Sequence, residues 1–150
     1  MFHPALCVAA LQARTAEDVV RALCKRLLDT GHVRPTFERA ALLRERRMPT
    51  GLPFPGIAVA MPHAEPEHVI SPGLAVASLA APVTFRQMGS PGTKLEISLA
   101  VMPALTEKEQ AAAWLPRLVE LLQGEALRRA LVEAETPDAM VAALVAAWGE

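Results

Sequence analysis

The middle of this chain differs from its two ends, and the difference limits the folds open to it. Between residues 49 and 103 the sequence is rich in proline and glycine, poor in charge and broken into short apolar runs. Short apolar runs with turn residues on both sides are typical of buried strands. We therefore predict strands over residues 56–60, 74–80 and 95–101, a turn or loop over 87–93, and an earlier first or edge strand over 6–11.

The N-terminal part has the pattern of two helices. Thr15 is a good N-cap and is followed by acidic residues in the first turn, where the helix dipole favours negative charge. Apolar residues at helical spacing continue to Thr30-Gly31, which ends the helix. A second helix is expected from Pro35-Thr36 to just before Pro49. Its predicted inward side chains are Phe37, Ala40, Ala41 and Leu43.

The C-terminal part returns to helix. Thr106 with Glu109 three residues later predicts a capping box. Pro116 is expected to kink or restart the helix that follows, because proline lacks the backbone donor a helix interior needs. A last helix is predicted from Thr136-Pro137 to Trp148, with proline in its first turn.

This order of elements predicts an α/β fold: one mixed sheet flanked by helices, in two or three layers. The 150 residues suit a single domain spanning 1–150. An apolar share of 52% and a net charge of −1 indicate a globular core and argue against a nucleic-acid-binding surface. The basic cluster at Arg44, Arg46 and Arg47 is interpreted as one solvated helix end.

Cysteine usage and hydropathy bear on location. Cys7 and Cys24 lack metal-ligand or redox-motif neighbours and are expected to be small buried residues in a reducing compartment. We find no secretory signal pattern and no apolar run near the roughly 20 residues that cross a bilayer. A cytoplasmic location without membrane insertion is therefore expected.

The most informative residue is His63. It follows a short apolar run that ends at Pro62, which forbids further ladder bonding at that position. A histidine there lies at the rim of the core, fixed by the strand end and open to solvent. A neutral imidazole is nucleophilic near neutral pH and suits reversible group transfer. Arg44 and Thr50 lie on a segment that could fold back and bind phosphate oxygens.

Two other interpretations of His63 remain at this point. It could be an ordinary loop histidine, or it could join His68, Glu65 and Glu67 in a metal site. Pro66 lies between the two histidines, which are five residues apart, so they cannot share a helical face as zinc ligands at i, i+4 do. No metal or other cofactor is therefore predicted. His3 and His32 are expected at the surface, and no phosphate-binding glycine loop or nucleophile elbow is present.

An ordered set of motifs resembles a known family. The chain looks like the IIA components of the bacterial sugar phosphotransferase system, in the fructose/mannitol/nitrogen-regulatory superfamily. Its sequence around His63 is most similar to that of the galactitol-type branch. The motifs, which extend over most of the chain, are Arg44-Glu45, Pro49-Thr50-Gly51, residues 56–63, Pro62-His63-Ala64-Glu65-Pro66-Glu67-His68, Pro82-Val83-Thr84-Phe85, Met88-Gly89-Ser90-Pro91 and the strand over 95–102.

The resemblance implies a mixed sheet flanked by helices and phosphorylation of His63. It places Arg44 at the family's phosphate-site arginine and Thr50 at a motif threonine. It also implies that the histidine-containing phosphocarrier protein is the donor and a cysteine of a sugar-specific IIB domain the acceptor. Many members have a second histidine after the strand over 95–102. Here Gln110 or Ala111 falls at that place, and His68 is a possible auxiliary residue.

Three functions follow as competing hypotheses. The first is a phosphoryl carrier for sugar uptake. The second is a regulatory protein in which phosphorylation of His63 changes the affinity of a partner, and the missing second histidine favours it somewhat. The third is a protein that has lost transfer altogether, or one that binds a small anion at the pocket of His63 and Arg44.

Overall fold

The computed structural model describes residues 1–149, which form five strands and five α-helices. The strands are β1 (Cys7–Leu11), β2 (Gly51–Leu52), β3 (Ala58–Ala60), β4 (Gly73–Gln87) and β5 (Ser90–Ala104). The helices are α1 (Ala16–Asp29), α2 (Phe37–Arg47), α3 (Lys108–Leu122), α4 (Glu125–Glu133) and α5 (Pro137–Trp148). Short 3₁₀ turns lie at Pro4–Leu6 and Pro66–His68. No helix among these residues is long and apolar enough to span a bilayer.

The five strands form one mixed sheet around the β4–β5 hairpin. β1 pairs with β4 in parallel, β4 with β5 antiparallel, β5 with β3 in parallel, and β3 with β2 antiparallel. β2 also meets the far end of β4, where Gly51 pairs with Gln87. A Cβ on Gly51 would lie 2.6 Å from the Arg86 carbonyl oxygen, so glycine is needed for this approach.

Helices cover both faces of the sheet, as predicted. Helices α1 and α2 pack on one face, and α3, α4 and α5 pack on the other. The strands are apolar on both sides, so alternate residues enter different cores. In β5, Ala100 and Met102 face the α1–α2 core, whereas Leu99 and Val101 face the other core.

The predicted helix starts are confirmed where a side-chain cap fixes them. Thr15 accepts from the backbone N–H of Asp18, whose carboxylate accepts from the backbone N–H of Thr15 in return. Thr136 caps α5 by accepting from the backbone N–H of Ala139. Cys7 and Cys24 are free and buried, as expected.

Several local predictions are wrong. The turn or loop predicted over 87–93 is too long: the turn is confined to Met88 and Gly89, where Gly89 has a φ of +76°, and β5 already begins at Ser90, which pairs with Gln87. The antiparallel ladder satisfies the backbone of this solvent-exposed stretch, so the strand continues without an apolar run. Leu43 is 43% exposed, since it lies roughly 200° around the helix from the buried Ala41.

The start of α3 also differs from the prediction. The capping box of Thr106 and Glu109 does not form, and the side-chain oxygen of Gln110 accepts from both the backbone N–H and the hydroxyl of Thr106. Helix α3 continues through Pro116 rather than restarting there. Both Pro116 and Ala112, whose carbonyl loses its helical donor, are exposed, so water can satisfy that carbonyl.

Arg128 of α4 fixes the segment that enters β3. The side chain is only 2% exposed, and its Nη1 donates to the carbonyls of Pro55 at 2.9 Å and Ile57 at 2.7 Å. The guanidinium also lies 5.1 Å from the ring centroid of Phe54. A buried cation is tolerated here because it satisfies carbonyl groups of a loop that has no ladder partner.

We expect Arg128→Met to lower the free energy of unfolding by about 2–4 kcal/mol, because it leaves buried carbonyls unpaired. Urea denaturation followed by tryptophan fluorescence measures the change. Arg129→Met is the matched control: Arg129 is the next residue, is 55% exposed, and makes surface ion pairs with Glu125 and Glu133. Equal losses in the two variants would contradict this role for Arg128.

Candidate functional site

His63 lies just beyond the end of β3, held by its own backbone neighbours. Its Nδ1 is 2.9 Å from the carbonyl oxygen of Met61. A carbonyl oxygen only accepts hydrogen bonds, so Nδ1 bears the proton and Nε2 has the free lone pair. The fixed strand end and Pro62 therefore select one tautomer and leave Nε2 as the nucleophilic atom.

The surroundings of His63 favour the neutral ring. The side chain of His63 is half-buried, and its partial desolvation lowers the pKa of the imidazole below its ordinary value. The charge of Arg44 lowers this pKa as well. The hydrogen bond to Met61 and the Glu65 carboxylate oppose this shift. A histidine with a lowered pKa is unprotonated at neutral pH, which is the form that attacks an electrophile.

Arg44 lies beside His63, as predicted. It comes from the last turn of α2 and lines the same pocket of about 160 Å³. Its Nη1 donates to the carboxylate of Glu65, and its Nε is buried without a hydrogen-bond partner. A guanidinium with an unused donor is suited to bind an anion such as a phosphoryl group.

Apart from His63, Arg44 and Glu65, the pocket is lined by apolar residues. Its walls are built by Ala64, Pro66, Pro103, Leu105, Ala111 and Leu115. Of the two residues aligned with the second histidine of many family members, Ala111 lines the pocket. The side chain of the other, Gln110, is hydrogen-bonded to Thr106. In the described part of the chain, His63 is the one imidazole that lines this pocket.

Thr50 lies outside the pocket lining. The residue is 2% exposed, and its hydroxyl donates to Glu45 Oε1 at 2.8 Å while accepting from the backbone N–H of Met61 at 3.1 Å. Its hydrogen-bonding capacity is thus committed to protein groups. The structure connects Thr50 to His63 through Met61 and does not bring its hydroxyl to the pocket.

The other histidines are also apart from the pocket. His68 Nδ1 lies 2.9 Å from the hydroxyl of Thr36, ahead of α2. His3 is exposed, as expected. His32 is half-buried rather than at the surface, because its ring packs against Gly73, where an added Cβ would lie 2.7 Å away.

The roles of two carboxylates near His63 were not predicted from the sequence. Glu65 was considered only as a metal ligand and is instead the ion-pair partner of Arg44. Glu45 was noted only as a motif residue and is the partner of Thr50. Among residues 1–149, no three His, Cys, Asp or Glu side chains are grouped as a metal site.

The sequence of this chain matches one protein family over nearly its whole length. The family described as "Phosphoenolpyruvate-dependent sugar phosphotransferase system, EIIA 2" matches residues 1–146. The chain belongs to this family. The members of the EIIA 2 family are phosphoryl carriers of that system. Comparison with curated proteins gives no significant match.

Solved structures support the EIIA fold. The crystal structure of the mannitol IIA of Escherichia coli has a TM-score of 0.77 at 22% identity, over 96% of this chain and 99% of that chain. A complex of the same organism's mannitol IIA with phosphorylated mannitol IIB has a TM-score of 0.78 at 21% identity, over 97% and 98%. The nitrogen regulatory IIA of Neisseria meningitidis has a TM-score of 0.73 at 19% identity, over 95% and 94%. These likenesses confirm the predicted mixed-sheet fold.

Proposed function

We propose that this EIIA protein accepts a phosphoryl group on Nε2 of His63 and passes it to a cysteine of a sugar-specific IIB domain. The observation that best supports this proposal is the hydrogen bond from Nδ1 to the Met61 carbonyl, with Arg44 lining the same pocket as His63. One nitrogen is fixed as a donor to the protein, the other is free to attack, and a cation lies at the same pocket.

The transfer exchanges one nitrogen–phosphorus bond for another. The lone pair of Nε2 attacks the phosphorus of the donor phosphohistidine as the bond to the donor nitrogen breaks. Nδ1 keeps its proton throughout and continues to donate it to the Met61 carbonyl. The dipole of that carbonyl stabilises the positive charge that the ring gains. Arg44 turns from Glu65 toward the phosphoryl oxygens, which it binds as a planar donor.

The partners in this proposal follow the family. The donor is the histidine-containing phosphocarrier protein, and the protein works in the cytoplasm. The mannitol IIA complex with phosphorylated IIB supports a IIB domain as the second partner. The galactitol-type motif around His63 leads us to propose a galactitol-like transporter. No cofactor takes part.

Intact mass spectrometry tests the proposal directly. The protein is incubated with phosphoenolpyruvate, enzyme I and the phosphocarrier, and one acid-labile adduct of about 80 Da is expected. Omission of phosphoenolpyruvate is the control. NMR of the ¹⁵N-labelled imidazole should then place the phosphorus on Nε2. An unmodified mass with active cognate donors would contradict the proposal.

A regulatory function is the second candidate, and the apolar wall at Ala111 favours it. A pocket with one imidazole offers fewer proton-transfer groups for rapid exchange with a IIB cysteine. The phosphorylated protein is mixed with the cognate IIB domain to separate the two functions. Transfer within seconds supports the carrier function. A stable phosphohistidine with changed affinity for another protein supports regulation.

A further inference from the structure

We propose that Glu45 is a positioning residue for His63, acting through Thr50 and Met61. This inference rests on the proposed function of His63 and names a residue that controls it from outside the pocket. Glu45 follows Arg44 in the last turn of α2, but its carboxylate faces the β2–β3 side of the site and bonds to Thr50.

Hydrogen bonds at the N–H and at the carbonyl of Met61 connect the Glu45 carboxylate with the His63 imidazole through the backbone of that one residue. Glu45 Oε2 accepts from the backbone N–H of Thr50 at 3.0 Å, and Oε1 accepts from the Thr50 hydroxyl at 2.8 Å. The same hydroxyl accepts from the N–H of Met61 at 3.1 Å. The carbonyl of Met61 then accepts from Nδ1 of His63 at 2.9 Å. Every group in the series has a fixed donor or acceptor role.

The charge of Glu45 determines how firmly this series is held. Hydrogen bonds to an ionised carboxylate are roughly twice as strong as those between neutral groups. When Glu45 is ionised, the Thr50 hydroxyl must donate to it, which leaves the hydroxyl oxygen to accept from Met61. When Glu45 is protonated, both of its bonds to Thr50 lose charge assistance, and the Thr50 hydroxyl holds the backbone N–H of Met61 less firmly.

Burial makes this charge sensitive to pH near neutrality. Desolvation raises the pKa of Glu45 to about 7, although both bonds to Thr50 and the charge of Arg44 oppose the shift, and the charge of Glu17 adds to it. The ionised form therefore lowers the stability of the fold as pH rises from about 4.5 through 7. Above pH 7 the Glu45 carboxylate opposes folding, yet it binds Thr50, which holds the backbone next to His63. A function at His63 explains such a carboxylate better than a contribution to stability does.

The charged groups around Glu45 come from every element packed there. They line a cleft of about 440 Å³ that is separate from the pocket of His63. The titratable and charged members besides Glu45 are Arg14 and Glu17 at the start of α1, Arg46 of α2, Arg86 of β4 and Lys94 of β5.

The first test compares phosphorylation rates at each pH. Purified phosphocarrier is the donor, and the ratio of the parent rate to the Glu45→Gln rate cancels the donor's own pH dependence. We expect the variant to be about tenfold slower at pH 8, where the parent has the ionised carboxylate, with a ratio approaching one at pH 6. Thr50→Val should also be slower at pH 8. Glu38→Gln, which changes an exposed carboxylate of the same helix, should match the parent.

Two further readouts separate positioning from folding and from the proposed function. Glu45→Gln should be at least as stable as the parent to urea at pH 8, because the poorly solvated charge of this half-buried side chain is gone. In the unphosphorylated protein, ¹⁵N NMR should show more Nε2–H tautomer of His63 in Glu45→Gln and Thr50→Val. Unchanged tautomers and an unchanged rate at pH 8 would overturn the role of Glu45. Failure of the proposed function would instead abolish labelling in the parent and leave the tautomer result intact.

Discussion

A His63→Gln variant is expected to take up no phosphoryl group under conditions that label the parent fully. Glutamine keeps a polar side chain of similar reach but has no nucleophilic nitrogen, because its amide lone pair is delocalised. Removal of the attacking group in a covalent mechanism should reduce the rate by at least about 10³-fold. Intact mass measured over a time course with the phosphocarrier as donor gives both the extent and the rate.

His68→Gln is the matched control for this loss. His68 is five residues further along the chain, and its Nδ1 lies 2.9 Å from the Thr36 hydroxyl rather than in the pocket. We expect this variant to be labelled at the parent rate within about twofold, since it touches neither the nucleophile nor the arginine. Labelling of His63→Gln would identify a different acceptor. Loss of labelling in His68→Gln would restore that residue as an auxiliary group.

Helix starts and strand ends could be predicted from the sequence where a few neighbouring residues determine them. Thr15 and Thr136 fix helix starts through their own hydrogen bonds, and these starts could be predicted from a few residues. The strand shortly before Pro62 could be predicted, because proline stops the ladder wherever it lies. The same limits apply to the candidate site: His63 was predicted from its position after a strand, without any distant contact.

Distant contacts explain the errors. The exposed start of β5 has no apolar run, and only its pairing with β4 makes it a strand. The sequence analysis did not predict α4, whose Arg128 is buried by carbonyls more than 70 residues earlier in the chain. Thr50 was predicted to bind phosphate, but Glu45 and Met61 occupy its hydroxyl, and neither contact follows from spacing alone.

The second large effect is expected at Arg44. Arg44→Met should slow phosphorylation of His63 by about 10²–10³-fold, because it removes the cation that stabilises charge developing on the phosphoryl oxygens. Arg44→Lys should recover only part of this loss, since an ammonium cannot make the planar, two-pronged contact of a guanidinium. Single-turnover labelling from the phosphorylated phosphocarrier measures the rates, and an Arg47→Met variant, which changes an exposed residue one turn later, is the control.

The effect of Arg44 should lie in transfer and not in folding. Its partner Glu65 has a side chain that is 47% exposed, so water can solvate that carboxylate when the arginine is removed. Ion pairs of this kind contribute about 0–1 kcal/mol to stability. Urea midpoints within this margin, together with a rate loss of two orders of magnitude, would assign Arg44 to the phosphoryl group. A parent-like rate in Arg44→Met would show instead that the buried Nε serves no anion, and the apolar pocket would then need another source of positive charge.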